Sequence, residues 1–410
     1  IRLYKKMKKI INIAYTFVGN MIGAFIKWLL LILIVRFTNP EMVGYYTFAI
    51  ALTSPVMLFA NMRLRLRYVV EDDLYFKDLK KLRLILDALC TVIIILITVI
   101  FLRDYLLITL LISISKVLDL RSDLLYGILQ KSEDFKVISL MMIGKNSLII
   151  TLFGISIVLT ENLYISIFCQ IIAQIVWLLL IENQAQKRIN ESNYIKSDKK
   201  IIFSIFVAGL PLGIVQLLNS YNILIPRYVI EKYLSLEAVG IFASISYLLT
   251  IIGIFMNALS QNFIVSVKRD VANNNFEKVK KFVNQNSLLA ALVLGGVSIL
   301  STYFFGKFFI NLVYGEAYAR HSSILVIISI SIIFNFLTWM YDTALMALKI
   351  YNFQLIVSIT TLIVSIIVSF ISIINFGLLG AAWAIVIITF VQALIRYIIV
   401  NYKLSRMEND

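Results

Sequence analysis

Five residues within one apolar run, Lys116, Asp119, Asp123, Tyr126 and Gln130, follow one another at steps of 3, 4, 3 and 4. At 3.6 residues per turn all five share one helical face, and the other faces are mainly Leu, Ile and Val. A charge at the centre of a bilayer costs about 2.5–3.5 kcal/mol on insertion scales, so the stripe implies a protein interior or a water-lined path. Two readings stand. Lys116 and Asp119 pair along the helix and seat it in a polar bundle core, or the stripe lines a passage for a polar solute.

Other runs repeat the device. Asn12, Thr16, Asn20, Gly23 and Lys27 are spaced 4, 4, 3 and 4, a pattern that serves close helix packing as well as a polar path. Lys27 lies too deep in its run, at about 1.5 Å per residue, for easy snorkelling. Lys145, beside Gly144 and Asn146, is nearer an end, and there snorkelling and path lining weigh equally. Arg121 and Arg396 are read as reaching an interface. In the second half, Ser246, Thr250, Gly253, Asn257 and Gln261 share a face, and Asn335, Thr338 and Asp342 share another. Their hydroxyls and amides suit hydrogen bonds to a polar solute, although helix-to-helix hydrogen bonding is the commoner use. The candidate path is therefore Lys27, Lys116, Asp119, Asp123, Tyr126, Gln130, Lys145, Asn257, Gln261 and Asp342. Gly209, Pro211 and Gly213 form a candidate kink, because proline removes a backbone bond and the glycines permit bending. Cys90, Cys169 and the single histidine, His321, form no ligand cluster, so no metal or cofactor is expected.

The elements that must position these residues are membrane helices. The 410 residues are 60% hydrophobic and 15% charged, which excludes a soluble enzyme. A helix needs about 20 apolar residues to cross hydrocarbon. Twelve such runs fall near 10–35, 41–62, 84–102, 105–129, 135–159, 163–181, 201–225, 238–266, 283–304, 322–346, 353–374 and 378–400. The basic start, Arg2 to Lys9, leads into a run too long for a signal-peptide core and is read as a retained span. An even count puts both termini on one side. Of the 38 lysines and arginines, 27 then lie on the side of the termini and six on the other, which makes the termini cytoplasmic. The net charge of +15 is thus mostly topological, and nucleic-acid binding is not expected.

The polar stretch 182–200 divides the runs six and six. Glu41-Met42-Val43-Gly44-Tyr45-Tyr46 echoes Glu237-Ala238-Val239-Gly240-Ile241-Phe242, Phe76 to Lys81 echoes Phe276 to Lys281, and Lys131 to Phe135 echoes Lys349 to Phe353. Three echoes in order, each at an equivalent break, argue for a duplicated six-helix unit, and six spans per copy make the copies parallel. The expected fold is all-α: twelve transmembrane helices in two parallel-repeat six-helix lobes around a central cavity. The lobes are 1–181 and 201–410, and 182–200 is a cytoplasmic linker.

Three stretches carry a likeness to a known family. They are Arg36-Phe37-Thr38-Asn39-Pro40-Glu41-Met42-Val43-Gly44-Tyr45-Tyr46, Ser122-Asp123-Leu124-Leu125-Tyr126-Gly127-Ile128-Leu129-Gln130-Lys131, and Ile225-Pro226-Arg227-Tyr228-Val229-Ile230-Glu231 with Val239-Gly240-Ile241-Phe242. With Gly377-Leu378-Leu379-Gly380-Ala381-Ala382 they extend the likeness over nearly the whole chain. The chain resembles the integral-membrane polysaccharide flippases of the multidrug/oligosaccharidyl-lipid/polysaccharide (MOP) superfamily. Relatives that flip the peptidoglycan precursor usually carry two further spans, which makes that precursor a poorer cargo here. The resemblance implies a multi-pass protein of the cytoplasmic membrane that moves a polyprenyl-diphosphate-linked oligosaccharide outward by alternating access. Membrane lipids and polysaccharide-assembly enzymes are its implied partners, and it is expected to work as a monomer.

Two other classes compete. A membrane glycosyltransferase or polymerase needs a sizeable aqueous loop for its acid and base groups, and the outer stretches here are short. A cation-coupled drug exporter of the same superfamily needs carboxylates for cationic cargo; Lys27, Lys116 and Lys145 oppose Asp119, Asp123 and Asp342, which leans only slightly toward anions. No phosphate-binding loop of the GxxxxGK[ST] type is present, so drive falls to the membrane potential or to ion antiport. Arg63, Arg65 and Arg67 read as a positive-inside anchor or as a collector of lipid diphosphate. The aromatic segment from Phe304 to Tyr318 reads as a helix lying at the outer interface.

Overall fold

The computed structural model describes residues 2–71, 73–188, 199–249, 267, 269–271, 273, 275–348 and 353–409. Among these the chain is all-α, without a strand. The first helices are α1 (Arg2–Phe37), α2 (Pro40–Asn61), α3 (Leu64–Val70), α4 (Phe76–Phe101), α5 (Leu106–Lys131), α6 (Phe135–Thr160) and α7 (Leu163–Leu180). A short 3-10 turn, Glu182–Arg188, follows α7. Then come α8 (Lys199–Tyr233), α9 (Leu236–Leu249), α10 (Phe276–Lys281), α11 (Ser287–Tyr314), α12 (Glu316–Ala319), α13 (Ser322–Ala347) and α14 (Phe353–Asn409). Two compact units emerge, Ile1–Ser220 and Tyr221–Asp410. Nine helices among the described residues are long and apolar enough to cross a membrane. Helix α5 falls outside that group because Lys116, Asp119, Arg121 and Asp123 lie in it.

In unit 1 the helix ends are set by short polar residues in the connections. Asn39 caps α2, its side chain accepting from the Met42 amide at 2.8 Å, with Pro40 pre-set in the first turn. Asn162 caps α7 through the amides of Tyr164 and Ile165. Helix α2 stops where Met62 and Arg63 both turn left-handed (φ 45 and 50). The freed carbonyls of Ala60 and Asn61 accept from the Arg83 guanidinium, reaching across from α4. Helix α4 is apolar on both its buried and its exposed face, as a lipid-facing span is. Leu79, Leu82, Leu86, Cys90 and Ile94 are buried, whereas Leu84, Ile85, Leu89, Val92, Leu96 and Ile100 are exposed. Helices α6 and α7 approach so closely at Gly144 that a Cβ there would lie 2.3 Å from the Trp177 ring.

In unit 2 the core joins Ile332, Phe336, Met340 and Ala344 of α13 to Val357, Ala393, Val400 and Leu404 of α14. At about 1.5 Å per residue the 57 residues of α14 would reach roughly 85 Å, far beyond a bilayer core of about 30 Å. Gly377 (φ 57, ψ −135) breaks it, a conformation that glycine adopts without strain. A Cβ on Gly380 would lie 1.9 Å from the Ser372 carbonyl oxygen, so the second arm folds back on the first. The expected runs 353–374 and 378–400 are these two arms.

Candidate functional site

The fourth expected span is α5, and its polar stripe is the centre of a network confined to unit 1. Lys145 of α6 is buried, with 7% of its side chain exposed, and its ammonium lies 2.7 Å from Asp119 Oδ1 and 2.8 Å from Ser122 Oγ. Gln174 of α7 donates to the same Asp119 oxygen at 3.0 Å. One turn away Gln170 donates to Ser115 Oγ at 2.8 Å. Asp119 is therefore paired across helices to Lys145, not along α5 to Lys116. Burial of Lys145 against a carboxylate also replaces the snorkelling reading for that residue.

Asp119 nevertheless keeps 43% of its side chain exposed. Lys27 of α1 and Lys116 of α5 act electrostatically on each other and on Asp119. Lys27 is exposed and Lys116 half-buried, and neither has a hydrogen bond or ion pair to another described residue. Three ammonium groups thus act on one carboxylate, one of them in direct contact, which leaves a surplus of two positive charges. A local surplus of positive charge is chemistry that suits an anion.

Toward the other end of α5 lies a second cluster. Arg65 of α3 donates to Gln130 Oε1 at 2.7 Å and to Asp123 Oδ1 at 3.1 Å, and its guanidinium stands 5.8 Å over the Tyr126 ring. The Tyr126 hydroxyl donates to Glu182, which also accepts from Ser122 Oγ at 2.5 Å. Glu182 is fully buried, at 0% exposure. Each carboxylate oxygen has a hydroxyl donor, so the turn after α7 is tied to α5. Asp123, Tyr126 and Gln130 are therefore occupied by internal partners. Beside them Arg67 pairs with Glu71 at 2.8 Å and donates to the Ile205 carbonyl at 2.8 Å. A Cβ on Gly209 would lie 2.8 Å from Arg67 Nη1, and one on Gly213 would lie 2.9 Å from the Phe59 carbonyl oxygen. Gly209, Pro211 and Gly213 lie in α8, which runs from Lys199 to Tyr233, and both glycines serve close packing on α2 and α3.

Arg121 does not reach an interface alone: with Arg83 it brackets the buried Asp87, at 3.3 and 3.7 Å. In unit 2 Asp342 pairs with Arg396 at 2.7 Å, so Arg396 is a counter-ion and not a lone snorkelling residue. Asn257 and Gln261, with Thr250 and Gly253, lie outside the described residues. Sequence reasoning missed Arg65, Glu182, Gln170 and Gln174 as network members. Gln170 and Gln174, four apart in an otherwise apolar run, carried a legible signal; Glu182 was placed in the linker.

The polysaccharide biosynthesis protein family matches residues 10–265. The capsular polysaccharide biosynthesis protein CapF of Staphylococcus aureus is 31% identical over 391 residues, covering 94% of this chain and 97% of that protein. An inward-facing MATE family multidrug resistance transporter of the MOP superfamily superposes with a TM-score of 0.74 at 15% identity, over 96% of both chains. The lipid II flippase MurJ in an inward closed conformation gives a TM-score of 0.71 at 15% identity, over 96% of this chain and 87% of that one. The fold is that of the MOP-superfamily transporters.

Proposed function

We propose, for a chain that belongs to the polysaccharide biosynthesis protein family, that it flips a polyprenyl-diphosphate-linked oligosaccharide from the cytoplasmic to the outer leaflet. The observation that carries this reading is the pair of lysines without a partner among the described residues, Lys27 and Lys116, beside the Asp119–Lys145 pair. A surplus of about two positive charges matches the charge of a diphosphate, and the half-exposed Asp119 marks a face open to a ligand. The carboxylate next to the cations keeps the site from holding a dianion irreversibly, as release on the far side requires. Moving the diphosphate outward down an inside-negative potential gains about 2.3 kcal/mol per charge per 100 mV, a sufficient drive without a nucleotide.

On this reading the chain makes twelve crossings, with both termini cytoplasmic. Lobes 1–181 and 201–410 alternate access about the linker 182–200, and a monomer serves polysaccharide-assembly enzymes in the cytoplasmic membrane. The second reading, a cation-coupled exporter, draws support from the likeness to the MATE transporter. Three lysines around one carboxylate oppose a cationic cargo. The test is reconstitution in liposomes with candidate lipid-linked oligosaccharides, scoring leaflet exchange with and without an imposed potential. Flipping that rises with an inside-negative potential and is lost in Lys27→Gln supports the proposal. Export of organic cations without lipid flipping overturns it.

A further inference from the structure

The break between α2 and α3 faces a helix that the flippase reading assigns to the other lobe. Unit 1 ends at Ser220, inside α8, so the stretch Lys199 to Ser220 of that helix belongs with α1–α7. Ile205, Gly209 and Gly213 stand four apart and are buried along one face of this stretch, whereas Pro211 is exposed on another. The glycines bare the backbone to α2 and α3: a Cβ at 209 would lie 3.4 Å from Met62 Cβ, and one at 213 would lie 3.2 Å from Met62 Cγ. Arg67 reaches into this bare face. In a helix the Ile205 carbonyl accepts from the amide four residues on, that of Gly209, and keeps a second lone pair. Arg67 Nη1 takes that lone pair at 2.8 Å, through space that a Cβ on Gly209 would crowd. Glu71 grips the rest of the guanidinium as a fork, with Nε donating to Oε1 at 2.8 Å and Nη2 to Oε2 at 3.1 Å.

Three features make this contact releasable. Arg67 and Glu71 belong to α3 and its C-terminal cap, so their ion pair stays whole when α8 withdraws, and no charge is stranded. The Ile205 carbonyl likewise keeps its helical bond, so parting the helices loses one charge-assisted hydrogen bond and the contacts of two glycines, which carry no side chains to interlock. Finally, α3 hangs from two consecutive left-handed residues, Met62 and Arg63, a short segment able to absorb a change of direction between α2 and α3. We propose that Arg67, Glu71 and the Gly209–Gly213 face form a latch between α3 and α8, and that this latch must open for cargo to pass the cytoplasmic end of the path. The proposal rests on the flippase reading, under which α3 lies on the cytoplasmic side and α8 begins the second lobe. Lys27 and Lys116 hold the cargo; the latch sets when the lobes part beneath it.

The test locks the latch and then loosens it. Met62→Cys with Gly209→Cys sets two Cβ atoms 3.4 Å apart, close to the span that a disulfide bridges. Reconstituted with a lipid-linked oligosaccharide, the oxidised protein is expected to lose flipping and to regain it on reduction, which shows that the same molecules are inserted and folded. The second measurement needs no transport. Met62 is fully buried, so the thiol of Met62→Cys reacts with a maleimide in detergent only as the latch opens; Cys90 and Cys169 of the unaltered protein give the background. Adding Gly209→Ala crowds Arg67 Nη1 off the Ile205 carbonyl and leaves the Arg67–Glu71 pair in place. Labelling should then quicken by about tenfold, the worth of one hydrogen bond to a charged group. Full flipping by the oxidised pair overturns the latch, as does a pair that will not oxidise, or labelling that Gly209→Ala leaves unchanged. Quickened labelling in a protein that flips no lipid-linked oligosaccharide retains the latch and rejects the flippase. Flipping with unchanged labelling does the reverse.

Discussion

Neutralising Asp119 should destabilise the protein and tighten its hold on an anion, whereas neutralising Lys116 should do neither. The difference follows from who is paired with whom. At the 2.7 Å between Lys145 Nζ and Asp119 Oδ1, an effective dielectric near 20 gives roughly 6 kcal/mol of attraction. Desolvation of a buried lysine offsets most of that, and the half-exposed carboxylate is partly screened. Asparagine at 119 can still accept from Lys145, so the net loss is about 2 kcal/mol. For a unit of this size that lowers the melting temperature by roughly 4–8 °C. The same change raises the local surplus of positive charge from two to three, so the affinity for pyrophosphate should rise severalfold. Lys116→Gln breaks no ion pair among the described residues; its melting point should stay within about 2 °C, and its affinity should fall by about tenfold. The assays are thermal unfolding in detergent and calorimetric titration with pyrophosphate. The control is Asp119→Asn with Lys145→Gln, which removes the pair without stranding a buried ammonium and should recover much of the stability. A Lys116→Gln protein that melts as low as Asp119→Asn would refute the reasoning, because Lys116 would then be a structural counter-ion. So would an unchanged affinity in both variants.

Glu182→Leu should cost about 1–3 kcal/mol, since it orphans the buried Tyr126 hydroxyl while Ser122 keeps the Leu118 carbonyl; protease susceptibility after Leu180, compared with Glu182→Gln, reads the loosening of that turn. Gly144→Val forces a side chain into the Trp177 ring and should lower stability by about 1–3 kcal/mol, checked by melting in detergent, with Trp177→Ala on the same background relieving part of the loss. In unit 2, Arg396→Leu should destabilise by leaving Asp342 alone, and Arg396→Leu with Asp342→Leu should restore melting and leave transport intact. External cysteine labelling should reach positions beside Arg103 and Glu161 and spare Asn193; labelling of Asn193 from outside contradicts cytoplasmic termini.

The helical fold was legible because hydrocarbon imposes a single rule on the backbone. Runs of about 20 apolar residues must be helices, and α1, α2, α4, α6, α7, α8, α11, α13 and both arms of α14 lie on expected runs. The polar stripe of α5 was equally legible, since periodicity places Lys116, Asp119, Asp123, Tyr126 and Gln130 on one face whatever surrounds them. What the stripe meets was not. Asp119 finds Lys145, 26 residues away, and Asp123 finds Arg65, 58 residues away. Spacing within a helix reports faces; it carries no register between helices. Spacing therefore offers Lys116 as a partner for Asp119 and does not offer Lys145. Arg396 and Asp342 failed to be joined for the same reason.

The turn at Gly377 bears on how the protein is made. Between Phe353 and Arg396 the sequence contains no Asp, Glu, Lys or Arg, and the tip of the turn is Gly-Leu-Leu-Gly. Nothing at that tip resists passage through hydrocarbon, and folding back on Ser372 satisfies the two arms against each other as they emerge. The segment Phe353–Asn409 can thus enter the bilayer as a ready-made hairpin. A single charged residue placed at Leu378 or Leu379 would leave the finished fold room to accommodate it, yet would burden the act of insertion itself.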